Sequence, residues 1–450
     1  MYSYPQKRQM ELQLRVGDGQ GKIFFRRFLV GFTAAFACFT AIACQQQLNP
    51  SHLNTTSASR TKNIFGLFIA KTDVNTVVEG NNAFALDLYS QLRKEKGNLF
   101  FSPYSLSTAL AMTYAGAKGE TATEMAKVLH FNLEPERLHP GFATLIGDMN
   151  PGNHDQYQLI QANRLWGQKG YGFLNTFLKV TKDNYGAGLE QVDFNAREKT
   201  TRTINDWVAK QTQNKIQDIL APGSIDSNTR LVLTNAIYFK GTWRSQFQGQ
   251  HTSDRPFNVT ATQQVNFPMM GQISSFQAGY TEVEGLQVLE MPYVGDRISM
   301  IILLPEKIDG LTELEQQLTP KNLQKWLRLL SHPKVAIVLP KFKIESSLLL
   351  KPLLSEMGMP LAFSSQADFS TMNKKEKLFI SEVIQKTVVA VDEEGTEATA
   401  ATAVPIRTLG SDRSQKKIKL FLANHPFIFL IRDRQSDSIL FLGRVVNPLK

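Results

Sequence analysis

An α+β fold with large mixed β-sheets and surrounding helices is what this sequence predicts. Helical and strand patterns alternate along the chain without an internal repeat, and the strands lie at long, irregular intervals. Such spacing favours an α+β domain over regular βαβ units. After residue 77 no second linker divides the chain, and a hydrophobic content of 42% suits one large core.

Three segments carry helical patterns. Residues Asn82–Leu92 place apolar side chains on one stripe at every fourth position. The segment Thr121–Leu129 begins with Thr121 and Glu124 at the spacing of a capping box, in which side chains bind the first backbone amides of the helix. The third helix is predicted at Arg202–Gln213.

Strand patterns are runs of branched and aromatic residues that end at turn-forming residues. They are found at Arg230–Phe239, Ile298–Leu304, Val335–Leu339, Phe427–Ile431 and Ile439–Val446. Pro305 and Pro340 directly follow the second and third of these runs, and proline cannot donate to a sheet ladder.

Charge and cysteine content exclude several classes of function. The net charge is +10, of which residues 1–27 supply +4 from six basic and two acidic residues. No basic helix with interleaved aromatic residues occurs, so we expect no nucleic-acid binding. Both cysteines, Cys38 and Cys44, precede the predicted domain, which therefore has no disulfide, thiolate metal site or cysteine nucleophile.

Motifs of catalysis are missing as well. The sequence contains no HExxH, Walker A, GxSxG or paired CxxC motif, and its seven histidines are scattered singly. We therefore predict that the protein is not an enzyme and that it uses no metal or other cofactor.

The N-terminal region has the pattern of an export signal. Residues 28–44 are uncharged and mostly apolar, and they directly follow Arg26 and Arg27. These 17 residues are short for a membrane span, which needs about 20, whereas a basic region before an apolar stretch is typical of a signal peptide. The ending Ala41–Cys44 resembles a bacterial lipobox, with Ala41 where that pattern prefers leucine, and this implies lipidation of Cys44.

From this pattern we divide the chain into a signal peptide (1–43), a flexible tether (44–76) and a folded domain (77–450). The tether is rich in Ser, Thr, Asn and Gln. We expect a secreted protein, extracellular or periplasmic, held at a membrane only by its lipid. An ordinary cleaved signal peptide and an uncleaved anchor are the alternatives.

The segment Val388–Leu409 is the most informative part of the sequence. A strand pattern runs into three acidic residues and then into a run of small residues from Gly395 to Val404. As a strand this run would place Thr396, Ala398, Ala400, Thr402 and Val404 on one face, whose side chains are small and modestly apolar. An Ala/Thr-rich linker is the plain alternative, but Thr and Val favour β structure, and flexible linkers contain more Gly and Ser.

These residues, together with others, resemble the serpin family, whose members are serine protease inhibitors. The run GTEATAATAV resembles the serpin hinge, and the resemblance covers roughly residues 77–450. Further matching segments follow in family order: Asn98–Ser105, Thr234–Trp243, Leu339–Glu345, Gly358–Ser370, Ile380–Lys386, Asn424–Phe429 and Gly443–Pro448.

The resemblance implies a suicide mechanism. A target protease attacks the exposed loop and forms an acyl-enzyme, after which the freed loop inserts into the main sheet and distorts the protease. Fifteen residues from Gly395 to Leu409 span at most about 50 Å, enough for a long sheet. Gly395 would supply conformational freedom where the loop bends. The hinge positions implied by the match are Glu393, Gly395, Thr396, Glu397, Ala398, Thr399, Ala400 and Ala401.

The resemblance also implies residues that control opening of the sheet. Ser102, Ser105 and Asn235 would lie in the shutter beneath the opening sheet, and Trp243 in the breach where insertion starts. A shutter position often occupied by histidine is Gln385 in this chain, so pH sensitivity is not expected from that site.

Counting from the hinge by the usual family length places the scissile bond between Leu409 and Gly410. Leucine suits a chymotrypsin-like or elastase-like serine protease. The stretch before Asn424 is longer than in the commonest relatives, so Arg407 and Arg413, the latter followed by Ser414, are alternatives. Either arginine would indicate a trypsin-like target, whose pocket offers a carboxylate.

Two further expectations follow from the resemblance. The region 134–149 lacks clustered bases, so we expect no activation by a heparin-type cofactor. The protein is expected to act as a monomer. The main alternative function is that of a non-inhibitory serpin-fold binding or carrier protein, which proline or charge in the hinge would favour; residues 398–401 carry neither.

Overall fold

A computed structural model describes residues 56–149, 157–275, 277–396 and 418–449. By backbone contacts the chain divides into two units, residues 1–64 and 65–450, and the second contains the sheets. The whole predicted signal peptide, residues 44–55 of the predicted tether with Cys44, and every candidate for the scissile bond lie outside the described residues. Within the described ranges, no helix is both long and apolar enough to cross a membrane.

Helices are concentrated in the first half of the domain, where apolar faces recur at helical spacing. Their bounds are α1 Thr56–Leu92, α2 Pro103–Tyr114, α3 Gly119–Leu129, α4 Pro135–Met149, α5 Asn175–Tyr185, α6 Arg197–Gln211, α7 Leu311–Gln317, α8 Pro320–Arg328 and α9 Lys351–Glu356. All three helical segments predicted from the pattern are confirmed, two of them as parts of longer helices.

Strands dominate the second half. They are β1 Leu99–Phe101, β2 Tyr157–Gln168, β3 Leu189–Val192, β4 Leu231–Thr242, β5 Ser253–Asn258, β6 Gln264–Ser275, β7 Gly279–Val283, β8 Leu286–Pro292, β9 Ile298–Pro305, β10 Lys334–Pro340, β11 Phe342–Leu349, β12 Glu382–Val391, β13 Gly395–Thr396, β14 Lys419–Leu422, β15 Phe427–Asp433 and β16 Ile439–Val445. Each of the five strands predicted from the sequence is present within a residue or a few of its expected bounds.

Three sheets form from these strands, and the predicted α+β class is confirmed. Sheet A has the order β11-β12-β13-β4-β2-β3, sheet B the order β1-β16-β15-β9-β8-β7, and sheet C the order β14-β10-β6-β5. One face of sheet A covers the main core, which also contains α2 and sheet B. Its other face covers a smaller core formed with α6. Sheet A therefore lies between two layers, and its central strands β4 and β12 are buried on both faces.

Helix α1 begins earlier than the predicted domain boundary. Residues 56–76 of the expected tether are helical rather than irregular. Val74, Val77 and Val78 are buried, and the carboxylate of Asp73 pairs with the guanidinium of Arg137 on α4 at 2.5 Å. Composition alone predicts flexibility for a polar segment, but burial of these three valines stabilises the end of this segment as a helix.

The predicted capping box in α3 is wrong. The helix begins at Gly119, and its N-cap residue Lys118 makes no side-chain cap. Thr121 and Glu124 instead accept hydrogen bonds from backbone amides of the segment around residues 361–368, at 2.9 and 3.0 Å. The two side chains that the local spacing assigned to the helix N-terminus therefore bind a segment distant in sequence instead.

Helices α4 and α5 are joined by a buried histidine. His139 Nδ1 lies 2.6 Å from the Tyr185 hydroxyl, and burial lowers the pKa of His139 from 6.5 to about 4. The native state thus favours the neutral ring. Its contribution to stability is complete above pH 6.5 and is lost as the pH falls from 6.5 toward 4, up to about 3 kcal/mol.

We therefore expect His139→Gln to flatten the dependence of unfolding free energy on pH between 7.5 and 4.5. Glutamine keeps a hydrogen-bonding group near Tyr185 but has no proton to gain in this range. Denaturant titrations at several pH values measure the slope, and His332→Gln, at an exposed histidine, is the control. Equal slopes for wild type and His139→Gln would contradict this account.

Candidate functional site: the opening of sheet A

The candidate site lies where β4 and β12 separate. In their lower part the two strands pair directly and in parallel, from Val232 opposite Glu382 to Tyr238 opposite Val388. Above that level β13 lies between them and pairs antiparallel with both. Parallel strands at the centre of a sheet normally remain paired, so this separation is a local opening of the sheet at one end.

The hinge residues form the first rung of a strand inside this opening. Gly395 lies opposite Thr242, while Thr396 lies opposite Gly241 on one side and Val391 on the other. Thr396 is fully buried, and its hydroxyl lies 2.6 Å from that of Tyr293. The remaining predicted hinge residues, Glu397, Ala398, Thr399, Ala400 and Ala401, lie outside the described residues.

Gly395 is required for a reason different from the predicted one. The backbone of Gly395 does not adopt the left-handed conformation. A Cβ atom at this position would instead lie 2.0 Å from the carbonyl oxygen of Gly241, well inside van der Waals contact. Glycine therefore permits the close approach of two strands rather than a bend.

Trp243, the predicted breach residue, lies at the end of β4 beside the turn between β12 and β13. The indole lies parallel to the ring of Tyr293, with centroids 4.5 Å apart, and its Nε1–H donates to the carbonyl of Asp392 at 3.0 Å. The backbone amide of Trp243 donates to Glu394 at 2.8 Å. These bonds hold the turn between β12 and β13 against the end of β4.

Two acidic residues of this turn have opposite electrostatic environments. Burial raises the pKa of Asp392, although the backbone amides of Glu394 and Gly395 partly offset it. Burial also acts to raise the pKa of Glu393, but hydrogen bonds from Lys341 and Thr252 outweigh it and the pKa is lowered. Glu393 thus stays ionised in a partly buried ion pair with Lys341, at 2.7 Å.

We expect Lys341→Met to lower the unfolding free energy by about 1 kcal/mol, because Glu393 would keep its charge without its cation. The control is Lys343→Met, whose pair with Glu345 is more than half exposed on both sides. Urea unfolding of the three proteins measures the difference. If both variants lose the same small amount, the ion pair at the breach has no special role.

The predicted shutter residues meet in one buried network. Gln385 accepts a hydrogen bond from the amide of Ser102 at 3.0 Å and donates to the carbonyl of Ser102 and to Asn235 Oδ1. Asn235 in turn donates to the Ser105 hydroxyl at 2.6 Å and to Asn163 Oδ1. Ser102, Ser105, Asn235 and Gln385 are all fully buried. Their polar groups satisfy each other across β12, β4 and the start of α2.

Sequence reasoning missed several members of the site. Asn163 lies opposite Asn235 on β2, so it completes the shutter from the strand on the other side. Tyr293 carries both the stacking on Trp243 and the contact with Thr396, and Lys341 and Thr252 hold Glu393. Paired asparagines on neighbouring strands leave no local sequence signal, because only the register brings them together.

Three sheets, an opening between β4 and β12, a short strand inside it and a buried polar network beneath it form the arrangement that the resemblance to a family of protease inhibitors implies. A family model described as serpin (serine protease inhibitor) matches residues 79–448. The chain belongs to the serpin family.

Known proteins show the same relationship. The leukocyte elastase inhibitor of Bos taurus is 45% identical over 377 residues, which cover 82% of this chain and 98% of the relative. The crystal structure of Serpin48, described as a highly specific serpin of the insect Tenebrio molitor, is similar at 34% identity and a TM-score of 0.73, covering 82% of this chain and 98% of Serpin48. Human thyroxine-binding globulin complexed with its ligand is similar at 32% identity and a TM-score of 0.76, covering 84% and 99%.

Proposed function

We propose that this chain inhibits a serine protease as a suicide substrate, by inserting its cleaved loop between β4 and β12. The observation that carries the proposal is the position of β13, which already forms the first rung of the new strand. A non-enzymatic role agrees with the family, since serpins are inhibitors of proteases rather than catalysts.

The register of β13 fixes where each later residue would go. Thr396 lies opposite Gly241 and Val391, and the new strand is antiparallel to both neighbours. Each step along the loop therefore moves one residue back along β4 and β12. By this count Ala398 would lie opposite Phe239, facing the main core that contains Phe239 and Ile237.

The same count brings the loop to the shutter. Six residues beyond Thr396, Thr402 would lie opposite Asn235 and Gln385, which are now in direct hydrogen bond. Insertion must break this bond and offers the hydroxyl of Thr402 in exchange. The hydrogen bond between Gln385 and Asn235 thus helps to hold the sheet closed, and when the sheet opens each side chain can exchange this partner for the hydroxyl of Thr402.

Backbone hydrogen bonds make insertion of the loop favourable. An inserted strand between β4 and β12 would gain ladder hydrogen bonds on both sides, and direct pairing of β4 with β12 provides only one ladder. The native state is then metastable, held by the kinetic barrier of opening the sheet. Cleavage releases the loop from its second attachment at β14 and lets insertion go to completion.

The target is proposed to be an elastase-like or chymotrypsin-like serine protease. Leu409 as the residue before the scissile bond with Gly410 supports this, as does similarity to proteins named leukocyte elastase inhibitor. Cleavage after Arg407 or Arg413 would instead indicate a trypsin-like target.

Incubation of the protein with leukocyte elastase, chymotrypsin and trypsin tests the proposal. We expect an SDS-stable complex and a released C-terminal fragment that begins at Gly410. A fragment beginning at Thr408 or Ser414 would move the specificity to arginine. Cleavage by these proteases without any stable complex would contradict inhibition and favour a carrier role, as the globulin structure in complex with thyroxine illustrates for that protein.

The proposal extends to the location of the protein. The apolar stretch 28–44 and the lipobox-like end at Cys44 support export and lipid attachment, with a bacterial type of signal. Expressed in a bacterial host, the full chain is expected in the membrane fraction, and Cys44→Ala should release it into the soluble exported fraction. Cys38→Ala is the matched control. Equal distribution of all three proteins would overturn lipidation at Cys44.

A further inference from the structure

The outward face of sheet C carries an apolar surface that no described part of the chain covers. Ile273 on β6 is 61% exposed, Leu420 on β14 is 55% exposed, and Ile418 just before β14 is 53% exposed. Ile273 lies opposite Ala336 of β10, and Ala336 lies opposite Leu420. The side chains thus form one continuous row across three strands, since residues opposite each other share a face.

An open groove of about 700 Å³ crosses the same face. Its floor includes Ile273, Ala336 and Val338, and its rim includes His251 and Arg255. None of the described residues that line the groove is Asp or Glu. The face therefore combines an apolar centre with a polar rim that carries one arginine, Arg255, and a polar rim around an apolar centre is usual in protein interfaces.

We propose that this face, named the sheet C face and formed by Ile273, Ala336, Val338, Ile418 and Leu420, is a second docking surface for the target protease. The inference rests on the proposed inhibitory function. It assigns a recognition role to residues outside the reactive loop, and it requires a protease with an apolar patch beside its active-site cleft, where an acidic group could pair with Arg255.

The short length of chain between the predicted scissile bond and the sheet C face supports the target protease as the partner that docks there. Gly410 is eight residues before Ile418, so the bond Leu409–Gly410 can lie at most about 28 Å from Ile418. A single-domain protease of roughly 200 residues is about 40 Å across. The width of a protease bound at Leu409–Gly410 therefore exceeds the greatest possible distance between that bond and the sheet C face.

Binding of the loop in the protease active site increases the effect of a weak contact between the protease and the sheet C face. Once the active site holds the loop, docking on the sheet C face becomes an intramolecular step with a high effective concentration. The contact slows dissociation before acylation, and it adds selectivity among proteases that all accept leucine. It does not alter loop insertion, which takes place in sheet A.

The test is Ile273→Glu, which places a carboxylate at the centre of the face. The matched control is Leu349→Glu, because Leu349 is 60% exposed on β11, at the edge of sheet A. With leukocyte elastase and chymotrypsin, we expect Ile273→Glu to lower the second-order rate constant of complex formation by about tenfold at unchanged inhibitor-to-protease stoichiometry. Leu349→Glu should stay within about twofold of wild type.

An unchanged rate constant for Ile273→Glu with every protease that the wild type traps would overturn the proposal while leaving inhibition intact. A raised stoichiometry would also overturn it, since the face would then act on insertion. A wild-type dimer that Ile273→Glu converts to a monomer in sedimentation would assign the face to a second copy of the chain. Failure of the wild type to trap leukocyte elastase, chymotrypsin or trypsin would refute the underlying inhibitory function instead.

Discussion

Replacing Ala398 by glutamate is expected to convert this inhibitor into a substrate of its target protease. If insertion continues the register of β13, Ala398 would lie opposite Phe239 and face the main core of sheet A. Burying an unpaired carboxylate there costs several kcal/mol, and each 1.4 kcal/mol added to the barrier of insertion slows it about tenfold. Hydrolysis of the acyl-enzyme would then outrun insertion.

The measurement is the stoichiometry of inhibition together with the yield of SDS-stable complex. For Ala398→Glu we expect the stoichiometry to rise by about an order of magnitude or more and the cleaved, uncomplexed form to accumulate. Glu397→Gln is the control, because residue 397 would lie on the other face, opposite the half-buried Lys240, and should stay within about twofold of wild type. Equal stoichiometries for the two variants would show that the register of insertion differs from the one that β13 sets.

Replacing Gln385 by leucine is expected to give the largest loss of stability. The substitution leaves the amide and carbonyl of Ser102 and the Oδ1 atom of Asn235 without the partner that now satisfies them in a fully buried site. Each unsatisfied buried group costs about 1–3 kcal/mol, so a total near 3 kcal/mol is expected after the gain from the apolar side chain.

Urea unfolding and the rate of thermal inactivation both measure this loss, since a metastable protein is also described by its rate of unfolding. Gln324→Leu, at an exposed glutamine of α8, should change stability by less than about 0.5 kcal/mol. Gln385→His should retain much of the stability at pH 8 and lose it as the pH falls below about 6.5. Burial disfavours the charged imidazole in the folded state, whereas the unfolded chain takes up the proton freely. Wild-type stability in Gln385→Leu would show that the network does not hold the sheet closed.

The sequence was sufficient for the main strands and helices, and it singled out part of the polar network at the opening of sheet A. Apolar patterning located β4, β9, β10, β15 and β16, and all of these except β10 are buried on both faces, which requires a continuously apolar strand. Matching motifs located Ser102, Asn235 and Trp243, since each is embedded in a run of residues with little freedom to vary in a packed core. Patterns also failed where side chains serve distant partners, as with Thr121, Glu124 and the helical start of α1.

What the sequence by itself determined is the class of fold, the limits of its main elements and the family of inhibitors to which it belongs. Only the tertiary structure decided that Thr396 already occupies the opening of sheet A, that the carbonyl of Gly241 leaves no room for a Cβ atom at Gly395, and that Asn163 joins the buried network of Asn235 and Gln385. The physical reason is register. Local sequence sets the period of a strand and its faces, but the residue opposite it belongs to a distant part of the chain, and a shift of one residue would change every pair.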